Sequence, residues 1–334
     1  MSKVQRFPGG AALRTFLGPL APLLARPEVT EVSINRPGEA FIDDAGRMER
    51  MALPELSYEH LQRLASLIAY ETHQVVNEER PLLSAWLPTG QRVQVVMPPA
   101  CETGTVVMSF RRQAERLYTL EDYEAVGMFA GVEVVREDAL SPEDEHLRAL
   151  LADGRIKDFL RHAVRYRRNI VVSGSTSSGK TTFLNTLLRE VADEERLITI
   201  EDVRELRPQV PNCAHLLASK GGQGVAKVTI QDLLEASLRL RPDRIILGEL
   251  RGGEAASFLH AVNSGHPGSL TSVHADSPAL AFERLALMVM QGNASLTREQ
   301  IIVYLRGVVD VVVQVRKAKD RRTVSAVYFK HAPA

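Results

Sequence analysis

The sequence predicts an α/β protein in which an N-terminal α+β domain with an antiparallel sheet precedes a C-terminal domain with a parallel sheet. Three observations predict this fold class. Short segments with alternating apolar residues cluster before residue 115, whereas strand-like and helix-like segments alternate after residue 150. Within that second region, GSTSSGKT at 174–181 separates a strand from a helix with the spacing of a phosphate-binding P-loop.

The chain has 334 residues, a length that suits two domains. We predict an N-terminal domain at 1–116, a linker at 117–150 and the C-terminal domain at 151–334. The linker is acidic, rich in turn-forming residues and only weakly periodic, which allows one or two short helices.

The N-terminal elements follow from periodicity and turn residues. In chain order we predict a helix at 11–24, a hairpin of strands at 29–35 and 40–46, a helix at 57–72, and strands at 82–87, 92–97 and 105–110. The helix at 57–72 carries one apolar stripe, and Ser57 is placed to cap it.

The C-terminal elements alternate as a parallel sheet requires. We predict strands at 170–173, 197–200, 244–248 and 269–272, helices at 180–190, 230–239, 253–262, 278–291 and 297–305, and two late strands at 308–315 and 323–328.

The P-loop predicts a site for a nucleoside triphosphate. Glycines let the backbone turn its N–H groups toward a phosphate chain, and the following helix N-terminus adds a positive dipole end. Lys180 would reach the β- and γ-phosphates, and the Thr181 hydroxyl would ligate Mg²⁺. The residues expected to bind the nucleotide are Gly174, Ser175, Thr176, Ser177, Ser178, Gly179, Lys180, Thr181 and Thr182.

Hydrolysis also needs acidic groups near the phosphates. An apolar strand ends at Gly248 and is followed by Glu249, the pattern of a Walker B strand. A second apolar strand ends in the acids Glu201, Asp202 and Glu205. Either Glu201 or Glu205 could hold Mg²⁺ through water or polarise the attacking water, and the sequence leaves that choice open.

Two histidines, His266 and His274, flank the strand predicted at 269–272. Their spacing is poor for two zinc ligands on one helix face, so we reject a zinc site there. A histidine at the carboxyl end of a strand beside the P-loop could instead hydrogen-bond the γ-phosphate and report its loss. We expect that role for His274.

Composition limits the remaining function classes. The 41 basic and 41 acidic residues balance, so the chain lacks the global basic excess of many nucleic-acid-binding proteins. Two cysteines, Cys101 and Cys213, are too few for a four-cysteine zinc site or a disulfide framework and predict ordinary thiols in a reducing compartment. Prolines and glycines interrupt residues 1–24, which predicts neither a signal peptide nor a membrane span, and we expect a cytoplasmic protein.

Taken together, the P-loop, the acids at 201–205, Glu249 and His274 resemble the boxes of the secretion-ATPase superfamily, in that order. The segments at 238–244, 246–255 and 258–278 are most similar to the traffic ATPases of type IV secretion and conjugation. The resemblance extends to 87–94 and 107–112, and it implies that Arg92 and Arg111 contact phosphate. Arg112 is not separable from Arg111 on this basis.

This resemblance implies a homohexameric ring with RecA-like C-terminal domains that hydrolyses ATP with Mg²⁺. Nucleotide would lie between the two domains, with Arg92, Arg111, Lys180, Glu205, Glu249 and His274 as catalytic residues. The implied partners are inner-membrane secretion-channel proteins and coupling ATPases, with peripheral attachment to the membrane through them and no nucleic-acid specificity. Whether neighbouring subunits exchange domains through the linker stays open, as does the cargo.

Three alternatives remain. A motor of type IV pili, of the retraction type, or of type II secretion shares the motor boxes, although type II enzymes usually carry a tetracysteine element that two cysteines cannot build. A hexameric helicase is disfavoured by the neutral charge and the lack of an aromatic–basic stripe. A nucleotide-binding scaffold without turnover is disfavoured by Glu205, Glu249 and His274.

The chain also departs from the family's commonest P-loop. It carries Ser177 where the family commonly has glycine, at a position that needs a tolerant backbone.

Overall fold

The structure is a computed structural model that describes residues 10–44, 46–112, 119–132, 140–219, 224–292, 295–319 and 321–332. It contains a six-stranded and a seven-stranded sheet. The first is antiparallel and comes from the N-terminal part, and the second is mostly parallel and comes from the C-terminal part. The predicted fold class is therefore confirmed.

The N-terminal sheet has the strand order β3-β2-β1-β6-β5-β4. Its strands are β1 Val29–Ile34, β2 Glu39–Asp44, β3 Arg47–Ala52, β4 Leu82–Trp86, β5 Arg92–Val96 and β6 Val107–Arg111, and its helices are α1 Ala11–Phe16, α2 Ala21–Leu24 and α3 Tyr58–Glu71. The predicted hairpin is present, and Ser57 caps α3 by accepting a hydrogen bond from the His60 N–H at 3.1 Å.

Two differences from the prediction have local causes. The single helix expected at 11–24 is split into α1 and α2, because Pro19 lacks a backbone N–H and its ring disfavours a continuous helix. The edge strand β3 is not predicted, because half of its residues are charged, most of them are exposed, and it does not show the apolar alternation of a half-buried strand.

The C-terminal sheet has the strand order β13-β12-β7-β11-β10-β8-β9, in which the pairs from β12 to β9 are parallel and the β12–β13 pair is antiparallel. Its strands are β7 Ile170–Ser173, β8 Leu197–Glu201, β9 Cys213–Leu217, β10 Arg244–Leu247, β11 Leu270–Val273, β12 Val311–Ala318 and β13 Arg321–Phe329. Its helices are α6 Ile156–Arg165, α7 Lys180–Leu188, α8 Ile230–Ser237, α9 Glu254–Asn263, α10 Pro278–Gly292 and α11 Arg298–Val308. Strand β9 and helix α6 are not predicted.

The predicted linker contains two helices, α4 Leu120–Ala125 and α5 Pro142–Ala152, whereas 113–118 and 133–139 lie outside the described residues. Helix α4 buries no residue, but Leu147 and Leu150 of α5 join the core beside β7. Domain boundaries at 116 and 150 remain a prediction. Of the helices that the structure describes, none is both long and apolar enough to cross a membrane.

The two sheets meet at β9. Cys101 forms a bridge with Leu216, and the Leu217 N–H donates to the Ala100 carbonyl at 2.9 Å. Cys101 and Val107 share one apolar core with residues of the parallel sheet. Both cysteines are free and buried, and burial raises the pKa of the Cys101 thiol to about 12. The contacts of Ala100 and Cys101 with β9 therefore join the N-terminal sheet to the edge of the parallel sheet.

Candidate nucleotide site

The P-loop lies between the end of β7 and the start of α7. Gly179 caps α7 with φ +96°, a conformation that glycine adopts readily. A Cβ atom at Gly174 would lie only 2.6 Å from the Val315 carbonyl oxygen, so the first glycine allows β12 to pack closely. Ser177 has φ +59°, which agrees with the tolerant backbone expected at this position. Because α7 begins in the loop, its free N–H groups form an anion site.

A cavity of about 220 Å³ opens beside this loop. It is lined by loop residues and by residues at the carboxyl ends of β8, β10 and β11, the edge at which ligands of parallel sheets bind. Among the lining residues are Thr176, Ser177, Lys180, Thr181, Glu201, Asp202, Glu205, Glu249, Arg251 and His274. The structure therefore brings together the predicted loop, acids and histidine, with Gly174, Ser175, Ser178, Gly179 and Thr182 completing the loop and the first turn of α7.

Glu201 is almost fully buried at the end of β8. Its Oε1 accepts hydrogen bonds from the N–H groups of Glu205 and Leu206, both at 2.8 Å. Its Oε2 has no hydrogen-bond partner among the described residues and lies 3.7 Å from the Arg204 Nη1. Burial raises the pKa of this carboxyl group. One oxygen thus shapes the acidic turn, and the other remains available to a ligand.

Gly248 explains why Glu249 does not follow the last apolar residue of β10 directly. A Cβ atom at Gly248 would lie 3.3 Å from the Glu201 Cγ. A side chain at position 248 would therefore press on the buried Glu201. The carboxylate of Glu249 instead follows one residue after Gly248. Glu249 Oε1 lies 2.7 Å from the His274 Nε2, an ion-pair distance, although the two groups are not oriented for a hydrogen bond.

Lys180 completes this cluster. Its Nζ lies 3.1 Å from the His274 Nδ1 and donates to the Ser175 carbonyl at 3.4 Å. Burial lowers the pKa of the Lys180 amine, which the nearby Glu249 carboxylate partly offsets. Lysine, histidine and glutamate therefore form one connected group that faces the cavity.

Arg251 is a site residue that sequence reasoning does not assign. Its guanidinium donates to Glu249 Oε2 at 2.9 Å and to Asp202 Oδ2 at 2.5 Å, so it bridges the acids that follow β10 and β8. Asp202 belongs to the predicted acidic cluster, but the sequence assigns a specific role only to its neighbours Glu201 and Glu205. The only signal in the sequence is a basic residue two positions after Glu249.

Arg92 and Arg111 do not line this cavity. They lie opposite each other on β5 and β6, both exposed, and the Arg92 Cζ lies 4.4 Å from the centre of the Trp86 ring. Arg111 is also paired in register with Glu31, whose Oε2 lies 4.0 Å from the Arg241 Nε. Their catalytic role stays a prediction.

His266 lies at the other end of β11 from His274. Its Nδ1 donates to the Pro242 carbonyl at 3.0 Å, and burial lowers its pKa. The two histidines therefore occupy opposite ends of one strand, and His266 has a partner of its own away from the phosphate loop.

Comparison with known proteins agrees with this geometry. The family model described as "Type II/IV secretion system protein" matches residues 15–324. The type IV secretion system protein VirB11 of Brucella suis is 46% identical over 310 residues, which cover 91% of this chain and 86% of that protein. A PtlH homolog of Bordetella bronchiseptica is 39% identical, with 97% of each chain covered.

A solved structure gives the same result. The crystal structure of the VirB11 ATPase from the Brucella suis type IV secretion system, in complex with sulphate, superposes with a TM-score of 0.89 at 45% identity. The match covers 96% of this chain and 98% of that one. The chain therefore belongs to the type II/IV secretion system protein family and, within it, is a type IV secretion traffic ATPase that hydrolyses ATP.

Proposed function

We propose that this ATPase works as a homohexamer and uses the free energy of ATP hydrolysis to drive substrate export or pilus assembly by a type IV secretion system. The observation that supports this most directly is the cluster of Lys180, Glu249 and His274 beside an open phosphate loop. Such a cluster can respond to the presence of a γ-phosphate, which is what a hydrolysis-driven conformational cycle needs.

The cavity suits ATP and Mg²⁺. The loop offers backbone N–H groups and Lys180 to the phosphates, and the Thr181 hydroxyl and Glu201 offer the hard oxygen ligands that Mg²⁺ prefers. We propose that Glu201 Oε2 holds a metal-bound water, because this carboxylate oxygen has no hydrogen-bond partner among the described residues. Glu205 is then free to orient the attacking water.

We further propose that the Glu249–His274 pair senses the γ-phosphate. In the structure, His274 contacts both Glu249 and Lys180. A phosphate group would attract Lys180 and give His274 a new acceptor, which would weaken its contact with Glu249. Nucleotide binding would thus weaken the contact between His274 and Glu249, and loss of the γ-phosphate after hydrolysis would restore it.

The arginines lead us to propose that each site is completed by a neighbouring subunit. Arg111 lies opposite Glu31 in the register of β6 and β1, and the Glu31 side chain contacts Arg241 just before β10, near the amino ends of β8 and β10. The P-loop and acids lie at the carboxyl ends, about 13 Å away along a five-residue strand. Arg92 and Arg111 therefore fit better as groups that act on the nucleotide of an adjacent chain.

The proposed site is tested by Lys180→Ala, measured as ATP hydrolysis by the purified full chain. Loss of the lysine should lower turnover at least about 100-fold, because a charge that stabilises the transferred phosphoryl group is removed. The circular dichroism spectrum should be unchanged. Lys227→Ala, which removes an exposed lysine, is the matched control. Hydrolysis by Lys180→Ala at the wild-type rate would show that the site is misplaced.

Arginine sharing between subunits is tested by mixing two inactive variants. One is Lys180→Ala, and the other is the double variant Arg92→Ala/Arg111→Ala. If the arginines act on a neighbour, random mixing restores about a quarter of the sites, namely those with an intact loop and intact neighbouring arginines. If they act on their own chain, no mixed ring contains a complete site, and activity stays at the level of the separate variants.

We place this ATPase at the cytoplasmic face of the inner membrane, attached through secretion-channel proteins and coupling ATPases. The VirB11 and PtlH relatives, which are type IV secretion system proteins, support such partners. Fractionation of cells with and without the channel genes tests this. We expect the protein in the membrane fraction only when the channel proteins are present.

A further inference from the structure

The β12–β13 hairpin forms the wall of the phosphate loop opposite the catalytic acids. Strand β12 pairs with β7 on one side, and β11 pairs with β7 on the other. The acids and His274 follow β8, β10 and β11, so these candidates in the cavity lie on the β11 side of the loop. The proposed function assigns no part of the nucleotide chemistry to the described residues of the hairpin.

Arg322 of β13 extends across this loop. A Cβ atom built on Gly179 would lie 2.5 Å from the Arg322 Cδ and 2.9 Å from its Nε. The second glycine of the P-loop thus meets two requirements, because it adopts a positive φ and because it leaves room for this side chain. The arginine packs against the loop that binds phosphate.

The Arg322 guanidinium has no ion pair or hydrogen bond to any residue that the structure describes. It is exposed, and its cross-strand neighbour is the basic Lys317. An arginine beside another cation gains nothing from that neighbour, whereas a phosphate oxygen would give it a charge-assisted, bidentate partner. The local charge on the hairpin therefore favours an anionic ligand.

The direction of the nucleotide follows from the sheet order. In the proposed function, the terminal phosphate points toward Glu201, Glu249 and His274 on the β11 side of the loop. The remainder of the nucleotide then leaves the loop on the opposite side, which is where the hairpin lies. The first group to reach Arg322 is the innermost phosphate.

We propose that Arg322 is a nucleotide-positioning residue that donates hydrogen bonds to the α-phosphate of the bound nucleoside di- or triphosphate. This inference rests on the proposed function, since it uses the orientation that the catalytic acids impose. It assigns Arg322 to binding, common to ATP and ADP, and not to the chemical step. An arginine that merely covers the loop with its aliphatic stem would contribute to neither.

The test is Arg322→Ala in the full chain, with Arg321→Ala as a matched control that removes the adjacent exposed arginine. We expect the Kd for ADP and the KM for ATP to rise about tenfold, the effect of losing one charge-assisted hydrogen bond, while kcat stays within about twofold. Arg322→Lys should recover part of the affinity. Arg321→Ala should bind as the wild type does.

A second measurement separates the phosphate from the nucleoside. Inorganic tripolyphosphate has three phosphates and no base, so its inhibition constant should rise in Arg322→Ala to the same extent as the Kd for ADP. A rise for ADP alone would place the contact on the nucleoside and overturn the α-phosphate assignment. Equal ADP affinity in Arg322→Ala and Arg321→Ala would overturn the positioning role altogether. Neither result would change the expectation for Lys180→Ala, so the proposed function can survive the failure of this inference.

Discussion

Charged residues occupy both ends of the parallel sheet, but they are paired inside the protein at one end and border an open cavity at the other. At the amino ends, Arg244 is fully buried, and its guanidinium donates to both oxygens of Glu195 at 2.7 and 2.6 Å. At the carboxyl ends, Glu201 keeps an oxygen without a hydrogen-bond partner among the described residues, beside an open cavity. The first pair is closed within the protein, and the second group faces a space that a ligand can enter.

The closed end also joins the two sheets. Arg196 is fully buried just before β8 and donates to Asn35 of the N-terminal part at 2.9 Å and to the Leu240 carbonyl at 2.8 Å. Arg241 pairs with Asp43 of β2. Burial lowers the pKa of Arg196 to about 10, which leaves it charged near neutral pH.

This difference teaches how to separate structural from functional charges in the same sheet. A buried charge that is fully paired stabilises the fold only as long as its partner remains, because an unpaired charge in the core is costly. A charged group that lacks a complete set of partners and also borders an open cavity, as Glu201 does, is available for binding. Removing one member of the paired group tests this distinction directly.

The largest expected effect comes from removing the partner of a buried charge. Glu195→Ala should lower the free energy of unfolding by about 3–5 kcal/mol, because Arg244 would stay buried without its carboxylate. Urea denaturation followed by circular dichroism measures this. Glu194→Ala, at the adjacent exposed position, is the control and should change stability by less than about 0.5 kcal/mol. A loss below about 1 kcal/mol for Glu195→Ala would show that the amino end is not closed in this sense.

The next effect concerns pH and His215 of β9. Its ring bonds Thr199 Oγ1 at 2.7 Å and accepts from Arg204 Nη2 at 2.8 Å. Burial and the two cations Arg204 and Arg36 lower its pKa to about 3. The unfolded chain then binds more protons than the folded one between about pH 3 and 6.5, so stability falls as pH decreases through that window.

At pH 5 the expected loss from His215 is about 2 kcal/mol relative to neutral pH. The measurement is urea denaturation of the wild type and of His215→Gln at about pH 7.5 and about pH 5. Other groups titrate in both proteins, so the difference between their pH dependences isolates His215. Equal pH dependences would mean that the pKa of His215 does not differ between the folded and the unfolded state, which contradicts the lowered pKa.

The smallest effect is expected in the phosphate loop itself. Ser177→Gly should raise the free energy of unfolding by up to about 1 kcal/mol, seen as a small rise in the midpoint of thermal unfolding. The reason is that serine is strained at φ +59° and glycine is not. Ser175→Gly is the matched control: Ser175 has no positive φ, and only the flexibility of the unfolded chain increases there. A stabilised Ser175→Gly or a destabilised Ser177→Gly would contradict the strain argument.

The parts of the site that the sequence predicts are those built by local rules. Lys180 follows a strand and a glycine turn within about ten residues, and Glu201, Glu249 and His274 each follow an apolar strand. Because parallel strands place their carboxyl ends at one edge of the sheet, the predicted parallel sheet is enough to indicate that these residues lie close together. Strand β9 is not predicted for the opposite reason, since its five residues are identified by pairing with β8 and not by their own pattern.

By itself, the sequence determined the fold class, the phosphate loop and the acids that face it, because short-range propensities and strand order define them. Only the tertiary structure decided where Arg92 and Arg111 lie, that Arg251 bridges Glu249 and Asp202, and that Arg322 crosses the loop. Those arrangements depend on which segments pack side by side over long separations along the chain. Packing of that kind leaves no periodic signal in a single sequence.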